Sequence, residues 1–368
     1  MLPVLCTLVL VAALRLLLLL RQRAVLRTQD QAYALGLVSQ RVGQQLWQQG
    51  WPLILIAALP WLSGAGPLTL LALVIAGGLW ELPAKAVKPF GLDARHGMNR
   101  MTLVAFAREQ AIQLALLAAL ALPAAWLALQ LLARTDKRAW LLIWAIGWSG
   151  WAALRALQPQ FAARLFDRLE PLPAGALRSR LEALLSRSGA RVQRLFVQAS
   201  SARSAQANAQ VSGSARAPRI VLGDTLLAML QADEVEAVVA HELGHLQRGH
   251  LRFQLLMIAA ASFLMVMVAA ALTAGIAEPV ARLAIAWALL PSLWFFALPL
   301  TNYWYRRFEF EADDSAARQA SGAALARALR QLTRNNRNAP VADRWYERVY
   351  HTHPATSERL ARLDRAGT

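Results

Sequence analysis

Long apolar runs constrain this chain more than any other feature. Stretches around Leu2 to Leu20, Thr102 to Leu132, Ala139 to Leu157, Phe253 to Ile276 and Leu283 to Leu300 approach or exceed the ~20 residues that carry a helix across a bilayer. Backbone in hydrocarbon must satisfy its own hydrogen bonds, so each run reads as a helix. A further apolar stretch, Trp51 to Leu82, is interrupted by Ser63-Gly64-Ala65-Gly66-Pro67, a turn-forming cluster that joins two antiparallel helices. Its first limb then begins near Leu46 to reach across. With 57% apolar residues in 368, the composition exceeds that of ordinary soluble domains.

A formal charge of +17 would suit a nucleic-acid partner, but its distribution excludes one. The basic residues gather beside the apolar runs, at Arg21, Arg23, Arg27, Lys85, Lys88, Arg95, Arg100, Arg306 and Arg307, which is how cytoplasmic loops are marked. Membrane lipids are the expected surroundings. Reading Trp51 to Leu82 as a hairpin puts the basic segments Arg21 to Arg41 and Lys85 to Arg100 on one side and gives about seven crossings, with the N-terminus outside. The basic loop Arg134 to Arg138 is then external, an exception. The first run lacks a positive leader, carries Arg15 and is followed by arginines, the order of an uncleaved anchor. Cys6, the single cysteine, excludes an internal disulfide and a thiolate metal cluster.

The expected organisation is an N-terminal membrane region over 1–158 with about five spans, a cytoplasmic part over 159–251, two further membrane helices over 252–304 and a cytoplasmic C-terminal part over 305–368. Within the second part, Gly175 to Ser188 reads as a helix ended by Gly189. Val192 to Gln198 and Arg219 to Gly223 read as short strands flanking a polar stretch. Asp233 is placed to cap the next helix, with Glu236 completing a capping box. Beyond the last apolar run a separate helix is expected from Phe308 to Ala320, then a polar stretch at Asn335 to Asn338 and a helix after Pro354. The fold class is a mainly α, polytopic membrane protein with a cytoplasmic domain that contains a small β-sheet.

The chemistry sits in His241-Glu242-Leu243-Gly244-His245. Histidines four apart project from one helical face and can share a zinc ion. Glu242, beside the first of them, can take a proton from water polarised by that ion. Gly244 leaves room for a neighbouring helix. A catalytic zinc takes three protein ligands, and the segment Arg306-Arg307-Phe308-Glu309-Phe310-Glu311-Ala312-Asp313 offers the third. Glu309 and Asp313 are also four apart, so one could bind the metal while the other accepts a ligand imidazole N–H; the spacing alone also allows Glu311. His250 lies about 140° from His245 on a continuous helix and is not a ligand of the same ion.

Further motifs carry a resemblance. Leu82-Pro83, Phe90 and Arg95-His96-Gly97-Met98-Asn99-Arg100 with Thr102 resemble the N-terminal membrane signature of the integral-membrane zinc peptidase family that contains the type I CaaX prenyl proteases, with Met98 where that family has Phe. Asn208-Ala209 followed by Arg219 to Leu227 is similar to its segment before the zinc helix, and Thr352-His353-Pro354 with Arg359 to its His-Pro element. Tyr305 replaces a serine common there. The resemblance implies that the cytoplasmic domain over 159–251 and 305–368 is a gluzincin-type zinc peptidase domain, with one zinc ion on His241, His245 and Glu309 and with Asp313 behind it. It also implies Glu242 as catalytic base and His353, rather than His351, as donor to the oxyanion. Substrate would add as a strand along an edge around Ser204 to Asn208, touching Asn208 and Ala209, and the seven helices would enclose a chamber.

The implied function is a membrane zinc metalloendopeptidase acting on peptide or lipidated protein substrates. An HtpX-type quality-control peptidase with fewer spans and a non-proteolytic scaffold or transporter are the alternatives. The Ala/Leu/Arg-rich composition points to a bacterial chain, and so to an inner membrane with the site facing the cytoplasm.

Overall fold

The computed structural model describes residues 1–27, 32–62, 64–134, 138–165, 169–189, 192, 194–214, 217–337 and 342–366. Ser63 of the expected turn, positions 135–137 of the basic loop, positions 28–31 of the Arg21 to Arg41 segment, position 193 of the first strand and Asn338 lie outside these residues.

The membrane part is built from α1 (Leu2–Arg27), α2 (Ala32–Ala57), α3 (Pro67–Trp80), the short α4 (Leu82–Ala86), α5 (Leu103–Arg134) and α6 (Ala139–Leu165). Two later helices, α10 (His250–Leu272) and α11 (Pro279–Gln319), join them. Among the described residues, five helical segments are long and apolar enough to cross a membrane: Leu2–Arg27, Pro67–Asp93, Leu103–Ala133, His250–Leu272 and Pro279–Gln319. The other two expected crossings fall on α2, whose middle carries Gln40, Gln44, Gln45, Gln48 and Gln49, and on α6, whose apolar part is the shorter Ala139–Leu154. Leu68, Val104, Leu256 and Leu264 are exposed, as befits side chains whose solvent is hydrocarbon. The hairpin expected from the Gly-Ala-Gly-Pro turn forms between α2 and α3, where Trp47 and Trp80 stack at 4.4 Å.

These helices line a half-open cavity of about 760 Å³. Its walls include Trp144, Trp148 and Trp151 on one side, and Arg15, Glu81 and Lys85 line it too. None of the histidine-motif residues is among those that line it.

The water-facing part begins with β1 (Leu169–Pro171) and α7 (Ala176–Ser188), which ends on Gly189 at φ 65° as its sequence predicts. Strands β2 (Arg194–Gln198), β3 (Ala209–Ser214) and β4 (Ala217–Gly223) complete a sheet of order β1-β2-β4-β3. Only β2 and β4 are parallel, in the register Phe196 to Val221. Ile220, Val221 and Leu222 are all buried, the continuous apolar run of a central strand. The edge expected at Ser204 to Asn208 is displaced: the strand there is β3, beginning at Ala209. The earlier segment has spent its backbone groups elsewhere. Ala205 N–H donates to the Met98 carbonyl, and Asn336 holds both the N–H and the C=O of Ala207.

After α8 (Asp224–Met229) comes the motif helix, α9 (Ala232–Gln247). Its capping box is formed by Gln231 and Glu234, two residues earlier than Asp233 and Glu236. Those two acids meet arginines instead: Glu236 is buried between Arg180 and Arg187, and Asp233 pairs with Arg327. Leu181, Leu184, Ile220, Leu222, Val239, Leu243 and Leu325 form the core around α9. The expected separate helix from Phe308 to Ala320 is the continuation of α11. No proline or glycine falls between Leu300 and Gln319, so nothing interrupts the ladder where the residues turn polar. Helices α12 (Gly322–Asn335), α13 (Arg344–Tyr350) and α14 (Thr356–Ala366) close the domain.

Candidate active site

Two helices crossing at close range create the site. A Cβ on Gly244 of α9 would lie 2.9 Å from the Ser315 Cβ and 3.1 Å from the Ala312 Cα of α11, so the absent side chain lets the backbones touch. That contact turns His241 and His245 toward Glu309. One ligand atom from each of the three lies within 4.8 Å of the others. Nε2 of His245 faces Nε2 of His241 at 3.2 Å and Glu309 Oε1 at 3.4 Å. Glu309 is buried, and its Oε2 has no well-formed hydrogen bond among the described residues. Two imidazole nitrogens and a carboxylate oxygen converging in this way are the donor set of a catalytic zinc with three protein ligands. The residues present fit that ion.

Asp313 stands behind His241. Its Oδ1 is 2.9 Å from His241 Nδ1, though off the direct line of an N–H···O bond. Asp313 is held in turn by Arg359 of α14, whose Nε and Nη2 donate to Oδ2 and Oδ1 at 2.8 and 2.6 Å. The same guanidinium reaches Glu309 Oε2 at 3.2 Å. Arg359 is itself buried, so one cation compensates two buried carboxylates. Sequence reasoning noted Arg359 within a motif and gave it no contact, because its partners lie on another helix.

Glu242 projects beside the two histidines. Burial raises its carboxyl above the ordinary range, with His241 and His245 and the Val211 N–H opposing. The Val211 contact puts the open edge of β3 alongside the carboxylate that would act as base. Ala209 opens that strand and pairs with Leu222, while the Asn208 carbonyl accepts from Gly223 N–H at 2.9 Å. The Asn208 residue is exposed.

His353 approaches from the far side, its Nε2 3.4 Å from Glu309 Oε1. The loop that carries it is fixed by α11: Asn302 donates to the Val349 carbonyl at 2.6 Å, and Arg306 to the carbonyls of Glu347 and His351 at 3.0 and 2.8 Å. His351 points elsewhere, its ring against Tyr346 at 5.5 Å. Burial, with Arg41 and Arg306, pushes its pKa down to about 4. Glu311, the alternative third ligand, faces away from the metal group and pairs with Arg307, Arg248 and His250.

Comparison with known proteins places the chain in a family. Residues 171–366 match the model of peptidase family M48, and residues 35–168 match a model described as the CAAX prenyl protease N-terminal region with five membrane helices. The chain is similar to a CAAX prenyl protease 1 homolog of Oryza sativa, 28% identical over 311 residues that make up 81% of this chain and 72% of the relative. A homolog of Arabidopsis thaliana is 29% identical, covering 77% and 70%, and the Homo sapiens homolog 26%, covering 80% and 72%. In fold it is similar to a crystal structure of S. mikatae Ste24p, with a TM-score of 0.83, 22% identity and 98% of each chain covered.

Proposed function

Because this chain belongs to peptidase family M48 and is a multi-pass membrane metalloprotease, we propose that it hydrolyses peptide bonds of membrane-associated or lipidated polypeptides, with zinc on His241, His245 and Glu309. The observation that carries this reading is the convergence of those three ligand atoms within 4.8 Å beside Glu242. Zinc, when bound, polarises water and a substrate carbonyl. Glu242 takes a proton from the attacking water and returns it to the leaving amine. His353 Nε2 donates to the carbonyl oxygen as it gains charge. Asp313 and Arg359 fix the imidazole of His241. Substrate main chain adds along the edge of β3 from Asn208 and Ala209, a mode that tolerates varied side chains and that the Val211 contact brings next to Glu242.

The relatives are named as CAAX prenyl proteases, which supports a lipidated C-terminal peptide as one substrate class. The arginine distribution supports a cytoplasmic site, and the composition a bacterial inner membrane. An HtpX-type peptidase with fewer spans, or a scaffold without chemistry, gains no support, since the five-helix membrane model matches as well as the peptidase one. Glu242→Gln should retain zinc and lower cleavage by about 10²-fold or more. Undiminished proteolysis by that variant would refute the mechanism. Peptides captured by the same variant in native membranes identify the substrate: C-terminal cysteine peptides favour lipidated targets, and varied membrane-protein fragments favour quality control.

A further inference from the structure

We propose that His250 is a positioning residue for the metal ligand His245, the middle member of a chain Glu311–His250–His245 that sets the tautomer and orientation of that ligand. The inference rests on the metallopeptidase reading. It starts from Gly249, whose φ of 68° ends α9 and turns the backbone so that His250, first residue of α10, folds back on the motif. On an uninterrupted helix the two rings would diverge. Here His250 Nδ1 stands 3.0 Å from His245 Nδ1, with the rings at 74°.

Two facing nitrogens can bond only if one carries hydrogen and the other a lone pair. Nε2 of His245 is the nitrogen turned toward Glu309 and His241, so its lone pair belongs to the metal and its proton to Nδ1. That N–H donates to His250 Nδ1. His250 then carries its own hydrogen on Nε2, which lies 3.3 Å from Glu311 Oε2. The assignment uses one proton per neutral ring and leaves each ring nitrogen with a partner or the metal. Glu311 is fixed by Arg307 at 3.1 Å and Arg248 at 3.4 Å. The His250 ring is buried and lies flat on Phe308 at 4.2 Å, so it cannot swing away.

The two ligand histidines are therefore supported differently. His241 has the carboxylate Asp313, itself neutralised by Arg359, whereas His245 has a neutral imidazole with the carboxylate one ring further out. Glu309 and Glu311 divide the work along α11, the first at the metal group and the second at the end of the relay.

The test uses the full chain purified in detergent and stripped of metal, with zinc affinity measured by competition against a chromophoric chelator and melting temperature measured without metal. His250→Phe keeps the stacking on Phe308 and removes both nitrogens; it should weaken zinc binding by about 10–100-fold with little change in the metal-free melting temperature. His250→Asn, whose amide oxygen occupies the place of Nδ1, should recover most of that loss, and Glu311→Gln should fall between. Wild-type affinity in His250→Phe overturns the proposal, as does a lower metal-free melting temperature with unchanged affinity, or failure of His250→Asn to recover what Phe loses. If His250→Phe does not fold, unchanged zinc affinity in Glu311→Gln overturns it. A wild-type chain that does not bind zinc refutes instead the metallopeptidase reading itself.

Discussion

Arg359 grips Asp313 through two parallel hydrogen bonds of 2.8 and 2.6 Å, and this pair ties the last helix to the one that carries Glu309. A guanidinium fork fits a carboxylate in a way an ammonium cannot. Arg359→Met strands two buried carboxylates and should destabilise the domain by roughly 3–5 kcal/mol. Arg359→Lys should recover only part. Thermal unfolding together with zinc content checks both; full stability in Arg359→Met would show that the fork carries no structural load.

Close approach at Gly244 makes a second prediction. Gly244→Ala places a methyl 2.9 Å from the Ser315 Cβ and 3.1 Å from backbone, so α9 and α11 must part. Overpacking of this kind costs about 1–3 kcal/mol, and any separation shifts both histidines relative to Glu309. Zinc affinity should fall more than helix content, which circular dichroism and metal titration would resolve.

Glu236 supplies a pH dependence away from the metal. Burial alone would raise its carboxyl, but hydrogen bonds from Arg180 and Arg187 prevail and hold it below the ordinary range. An acid whose folded pKa is depressed stabilises the fold above its unfolded value, near 4.3, and loses that contribution as pH falls through the folded one. Glu236→Gln should therefore lower stability at pH 7 by about 1.5 kcal/mol, the low end for charged hydrogen bonds because both arginines are half exposed. Unfolding at pH 7 and at pH 3 should show the gap between variant and wild type closing; an equal gap at both would contradict the assignment.

Much of this was legible in the residues because it depends on local spacing. His241 and His245 share a face whatever surrounds them, and Gly189 ends α7 by its own conformational freedom. What could not be read depends on docking or on one backbone angle. The partners of Arg359, Asp313 and Glu309, lie on α11, 46 and 50 positions earlier. His250 looked remote from His245 because a helical wheel assumes continuity, which Gly249 ends. The capping acids were misassigned because Asp233 and Glu236 fit a capping box as well as Gln231 and Glu234 do, and only the arginines of α7 and α12 decide between them. The contacts of Asn335 and Asn336 with the backbone at Ala205 and Ala207 could not be read either, because the partners sit 129 or more positions apart.

The continuity of α11 has a consequence for how the molecule is made. Of the three side chains proposed to hold the metal, two are synthesised before α10, and the third only after α11 has begun as a membrane helix and run on past its apolar part. A chain whose synthesis has reached only the motif helix holds a pair of histidines and no complete ligand set. Insertion of the final helical hairpin delivers Glu309, and with it Asp313, so this protease is chemically unfinished until its own insertion is complete.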